Sequence, residues 1–115
     1  MKSIVEIADL IMKTINALTV EGQKSEELIK KKAETARDYD KSMGVAVTTL
    51  KAQGEPVTII EKKAKERCAD MLYDKMVAEE SLKAHYSKLE RLEAQLNGFQ
   101  SLNKYLENVS RGQNG

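Results

Sequence analysis

The sequence has no tryptophan and only one each of cysteine, proline, phenylalanine and histidine. Each shortage excludes something. With Cys68 alone, no intramolecular disulfide, Cys-x-x-Cys pair or Cys/His zinc cluster can form. A solitary thiol suits a reducing cytoplasm. Aromatic residues make up 4% of the 115 positions and charged residues 32%, a balance that serves solvated helices better than a sheet. No long apolar run exists. The richest stretch, Ile4 to Leu18, is interrupted by Glu6, Asp9 and Lys13 and fails as a signal-peptide core or membrane span. Neither charge sign dominates: Lys and Arg number 19, Asp and Glu 18. Nine of those bases and eight of those acids precede Glu55, so no basic arm or acidic tail advertises nucleic acid or membrane. Gly-rich phosphate loops, H-E-x-x-H, EF-hand loops and nucleophile elbows are missing too. The chain is therefore expected to be no enzyme, with no catalytic residue, metal ligand or cofactor.

What is present is helical periodicity, enough for an all-α fold in a single domain over residues 1–115. Residues 3–20 read as an amphipathic helix with its seam at Ile4, Ala8, Ile11, Ile15 and Leu18, widened by Ile7 and Met12. Gly22 then weakens the helix, and the first arm is expected to break there. Residues 25–53 read as a second helix. Ser25 is its candidate N-cap, and its seam runs through Ile29, Ala33, Ala36, Asp40, Met43, Val47 and Leu50. The β-branched patch of Val45, Val47, Thr48 and Thr49 favours a strand locally, but the unbroken seven-residue spacing favours the helix. Lys51 and Gly54 form a stop signal, and Pro56 disfavours helix at Glu55, so residues 54–57 are the turn of a helical hairpin.

The longest element follows. Thr58 and Glu61 have capping-box spacing, and no further proline occurs, so one helix is expected over 58–109, on the order of 75 Å at 1.5 Å per residue. From Leu82 a 3/4 spacing is strict: Leu82, His85, Leu89, Leu92, Leu96, Phe99, Asn103, Leu106. Such a seam faces a partner helix, either from its own chain or from other copies. A homo-oligomeric bundle is expected, with Asn103 as a register-fixing polar residue. Gly98 inside the helix suggests close approach of another backbone. Residues 110–115 have nothing to bury and are expected to fray.

Individual side chains point less sharply. His85, the only histidine, is a pH-sensitive interface residue or a general base, yet the sequence designates no nucleophile for it. Cys68 lies among Ala64, Ala69 and Met71 and reads as a packed small hydrophobe, with Lys65 and Arg67 close enough to favour a thiolate. The bases Lys51, Lys62, Lys63, Lys65 and Arg67 flank the hairpin turn and are the candidate nucleic-acid contact, diluted by Glu61, Glu66 and Asp70. DNA binding through them is expected to be weak.

Three stretches carry a resemblance. Leu50-Lys-Ala-Gln-Gly-Glu-Pro-Val-Thr-Ile-Ile-Glu-Lys-Lys-Ala-Lys, Ala78-Glu-Glu-Ser-Leu-Lys-Ala and Leu92-Glu-Ala-Gln-Leu-Asn-Gly-Phe-Gln-Ser-Leu-Asn-Lys-Tyr-Leu resemble small helical proteins of bacteriophages and prophages, encoded among early genes for recombination and single-strand binding. That family more often has alanine at the place of Gly98. The resemblance implies an accessory protein of the bacterial cytoplasm acting on a protein partner in phage DNA recombination or replication. The alternative is a counter-defence inhibitor that binds a host protein or a nucleotide signal. Tyr86-Ser-Lys-Leu-Glu90 also resembles the Y-x-x-x-D/E signal of the small secreted helical hairpins with a W-x-G turn, whose tryptophan is missing here.

Overall fold

The computed structural model describes residues 3–114, so Met1, Lys2 and the Gly115 end of the expected frayed tail lie outside it. The fold is all-α, with four helices among the described residues: α1 (Ile4–Gly22), α2 (Ser25–Ala52), α3 (Val57–Arg67) and α4 (Ala69–Asn114). No strand occurs among the described residues. The β-branched patch in α2 stays helical, and the first arm breaks after Gly22. No helix among the described residues is long and apolar enough to cross a membrane.

The chain divides into two compact units, Glu26–Lys83 and Met1–Ser25 with Ala84–Gly115. The central unit is a helical hairpin. Its turn is a Schellman motif: the Glu55 N–H reaches the Leu50 carbonyl and the Gly54 N–H that of Lys51, both at 3.1 Å, with Gly54 at φ 79°. Behind the turn Ala46 and Leu50 of α2 pack against Ile60, Ala64 and Cys68, with Tyr39, Met43 and Val47 at the margin. Lys63 bonds Glu55 at 2.8 Å across the turn. The other unit pairs α1 with the second half of α4. Glu21, at the end of α1, holds His85 and Lys88. The earlier turns of α1 therefore run back along later turns of α4, an antiparallel pairing.

Several local expectations need correction. The helix expected over 58–109 is interrupted at Cys68, which leaves helical dihedrals at φ −100° and ψ 15°. The hydrogen-bond ladder continues across it, from the Cys68 N–H to the Ala64 carbonyl and from the Leu72 N–H to the Cys68 carbonyl. Pro56 is the N-cap residue of α3 and no side chain caps the helix, so the Thr58–Glu61 capping box does not form; Thr58 already lies within the first turn. Ser25 is the first residue of α2, and its hydroxyl is engaged elsewhere. The tail is helical as far as Asn114, since Gly112 weakens a helix without ending it. A Cβ at Gly98 would meet nothing within 4 Å, so no other described segment of this chain approaches there.

The seams of α1 and α2 are also rotated. In α1 the covered residues are Ile7, Leu10, Ile11, Thr14, Ala17, Leu18 and Glu21, while Ile4, Ala8, Met12 and Ile15 are exposed. In α2 the expected Ala36, Met43, Val47 and Leu50 are covered, joined by Leu28, Thr35, Tyr39, Ser42 and Ala46, whereas Ile29, Ala33 and Asp40 are exposed. The cause is the same in both helices. Thr14 and Thr35 bond their hydroxyls to the carbonyls of Leu10 and Lys31, each at 2.8 Å, so they enter a seam without an unpaired donor.

Candidate functional site

The covered face of α4 is the seam its spacing indicates. Leu82, His85 and Leu106 are buried, and Leu89, Leu92, Leu96, Phe99 and Asn103 are half-buried, with exposed residues between them. From His85 onward these residues share a unit with α1, so a helix of the same chain lies along that stretch. Asn103 donates to Glu107, one turn on in the same helix, at 3.3 Å.

At the end of that unit sits a polar node that no sequence pattern announced. His85, 4% exposed, places Nδ1 3.0 Å from Glu21 Oε1 and Nε2 2.6 Å from Ser25 Oγ. Lys88 Nζ lies 3.0 Å and Lys24 Nζ 3.3 Å from the second carboxylate oxygen, Oε2. His85 above all, then Lys88, lowers the Glu21 carboxyl from 4.5 to about 2; burial opposes this and Lys24 assists. With its proton on Nδ1 the ring donates to Glu21 and accepts the Ser25 hydroxyl; as an imidazolium it donates to both. No buried side-chain polar atom among the described residues lacks a partner.

Hydroxyl, imidazole and carboxylate stand here in the order of a nucleophile, its base and an orienting acid. Hydrolysis would further require a substrate cavity and oxyanion donors beside Ser25. Among the described residues, three grooves lie in the central unit: one of about 620 Å³ lined by Thr58, Glu61, Lys62, Lys65, Glu66 and Ala69, one of about 360 Å³ that includes Ser42, Arg67 and Cys68, and one of about 300 Å³ that includes Leu28, Tyr73 and Val77. None of the three touches Ser25 or His85. Among the described residues no His, Cys, Asp and Glu side chains gather into a metal site.

Of the basic candidates, Lys62 and Lys65 line one groove together. Lys63 is bonded to Glu55, and Lys65 to Glu61 at 3.1 Å. Lys51, Lys62 and Arg67 make no ion pair among the described residues, but Lys62 shares its groove with Glu61 and Glu66. Cys68 is buried in the hairpin core, 6% exposed at the edge of the groove it shares with Arg67.

One surface stands out by its apolarity. Beside the covered face of α1 the helix carries an apolar flank: Ile4 is 40% and Ile15 38% exposed next to Ile7, Ile11 and Leu18, Ala8 is exposed, and Met12 at 56% and Val5 at 71% turn furthest from the covered side. A search for this face from sequence alone would have needed the phase of the covered seam, which the threonines conceal. No protein-family model, curated protein or solved structure matches the chain.

Proposed function

We propose that this chain is a non-enzymatic interaction protein of bacteriophage type that docks an uncovered helix face onto a protein partner. The observation that carries the reading is the apolar flank of α1: one face packs within its unit, while beside it Val5 and Met12 are 71% and 56% exposed and Ile4 and Ile15 are 40% and 38% exposed. A contiguous apolar stripe in water is costly, and such patches mark interaction surfaces. The Glu21–His85–Ser25 node then has a structural task, to fix where α1 ends against α4. Its ring is enclosed, as a latch requires and a general base facing substrate does not. Phage DNA recombination or replication is the setting the sequence resemblance favours. Contact with DNA itself is disfavoured by the ion pairs that occupy Lys63 and Lys65.

A photo-crosslinking residue at Met12, expressed in bacterial cells, tests this. Protein adducts are expected from Met12 and not from exposed Lys62 of the central unit. No adduct from Met12 would overturn the reading. A mobility shift of DNA at ~50 mM salt that is lost on replacing Lys62, Lys63 and Lys65 by Glu would put nucleic acid in place of the protein partner.

A further inference from the structure

We infer that the groove of about 360 Å³ between α2 and the end of α3 binds a small organic phosphomonoester, a dianion on a short aliphatic body. Lys41, Ser42, Val45, Ala46 and Thr49 line it from α2, and Arg67 and Cys68 from the other side. Those α2 positions alternate one and three residues apart, which gathers them on a single flank of the helix. The whole groove lies in the central unit, so it stands independently of the apolar flank of α1.

Charge separates this groove from its neighbours. Glu61 and Glu66 line the one that holds Lys62 and Lys65, and Asp74 the one beside Leu28. A smaller hollow carries Asp38 and Asp74. Between Lys41 and Arg67 no acid lines the wall, and neither base makes an ion pair among the described residues. Two cations on one hollow repel each other, and an anion of two charges relieves that repulsion. A phosphomonoester carries about −1.5 to −2 charges near neutral pH, whereas a carboxylate carries one. The Arg67 fork suits two phosphate oxygens and the Lys41 ammonium a third.

A free hydroxyl completes the polar set. Thr14, Thr19 and Thr35 turn theirs back to a carbonyl one helical turn earlier. Thr49, half-buried on the groove wall, makes no such bond among the described residues, so its hydroxyl is left to the groove. Ser42 is already engaged, with the Met71 sulfur. The rest of the wall is aliphatic or thiol: Val45, Ala46 and Cys68. No aromatic ring lines it, so a nucleobase would find nothing to stack on. A short aliphatic body on the phosphate fits these walls better.

Nuclear magnetic resonance of the full chain, titrated with n-butyl phosphate at ~20 mM salt, tests this. Both cations are exposed and act through water, so saturation is expected near ~1 mM rather than in the micromolar range. The amide shifts should centre on Ser42, Val45, Thr49 and Arg67. Pentanoate, of similar length with one charge, and inorganic phosphate, without the body, should each bind more weakly by about fivefold or more. Lys41→Gln and Arg67→Gln should each weaken binding about fivefold to tenfold, and Thr49→Val about twofold to threefold, with circular dichroism unchanged. Lys62→Gln, in the acid-lined groove, should leave it as in wild type. No saturable shift up to ~10 mM, shifts centred elsewhere, or equal weakening by Lys62→Gln would each overturn the inference. Pentanoate or inorganic phosphate binding as tightly as butyl phosphate would overturn it too. Sedimentation with phosphatidate vesicles, without any butyl phosphate shift, would put a lipid surface in place of the small ligand.

Discussion

His85 Nδ1 lies 3.0 Å from Glu21 Oε1 although 64 residues separate them in the chain. This contact, with Lys88 on the other carboxylate oxygen, sets where α1 ends against α4. The turns of α1 before Glu21 cover Ile7, Ile11, Thr14 and Leu18, and the apolar flank beside them, from Ile4 to Met12, stays open to water.

That node should make stability depend on acid. The unfolded Glu21 carboxyl takes up its proton near 4.5, the folded one only near 2. Between those values the unfolded state binds more protons, so the stabilisation is complete above about 4.5 and is lost as pH falls toward 2. Denaturant titrations at pH 5 and pH 3 should show the wild type losing more stability than Glu21→Gln. Equal losses would mean that the carboxylate is not held by the node.

Replacing His85 by Leu removes the ring that bonds Glu21 and Ser25 while keeping much of the volume. It should cost about 1–3 kcal/mol, the range for leaving buried polar groups unpaired. The midpoint in urea is the measurement, and a change within about 0.5 kcal/mol, as for an ordinary surface substitution, would contradict the assignment.

Thr14 and Thr35 should behave differently. Each hydroxyl bonds a carbonyl one turn back, and that carbonyl can keep its helical N–H partner. Thr14→Val and Thr35→Val keep the shape and strand no partner, so each should lie within about 1 kcal/mol of wild type or above it.

The glycines divide sharply. Gly98→Ala fills open space inside α4 and should raise stability by about 0.5–1 kcal/mol. Gly54→Ala must adopt φ 79° in the Schellman turn and should cost about 1–2 kcal/mol. A thermal melt of each variant reads both signs.

Cys68 reports on the central core. Buried between α2 and α3, its sulfur should react with a thiol reagent in native buffer far more slowly than in denaturant. Complete modification within seconds under native conditions would show that the hairpin core opens freely.

By itself the sequence determined the class of the fold, the hairpin turn, the break after Gly22 and the covered face of α4 from Leu82 to Leu106. These are local properties. Gly54 and Pro56 punctuate the chain wherever they stand, and a 3/4 repeat of leucines turns one side of a helix from water whatever partner covers it. The tertiary structure decided the phase of α1 and α2. Their seams admit Thr14, Glu21, Thr35 and Ser42, and a polar residue reads as solvent-facing until its partner is known. Thr14 and Thr35 find theirs one turn back, Ser42 meets the Met71 sulfur 29 residues on, and Glu21 finds His85 and Lys88. Periodicity weighs apolar side chains alone, so the apolar residues that those seams leave outside, Ile4, Met12 and Ile15, looked like core. They became a candidate surface only because burial depends on which satisfied polar groups a neighbouring helix covers, and distant pairings of that kind leave no trace in local spacing.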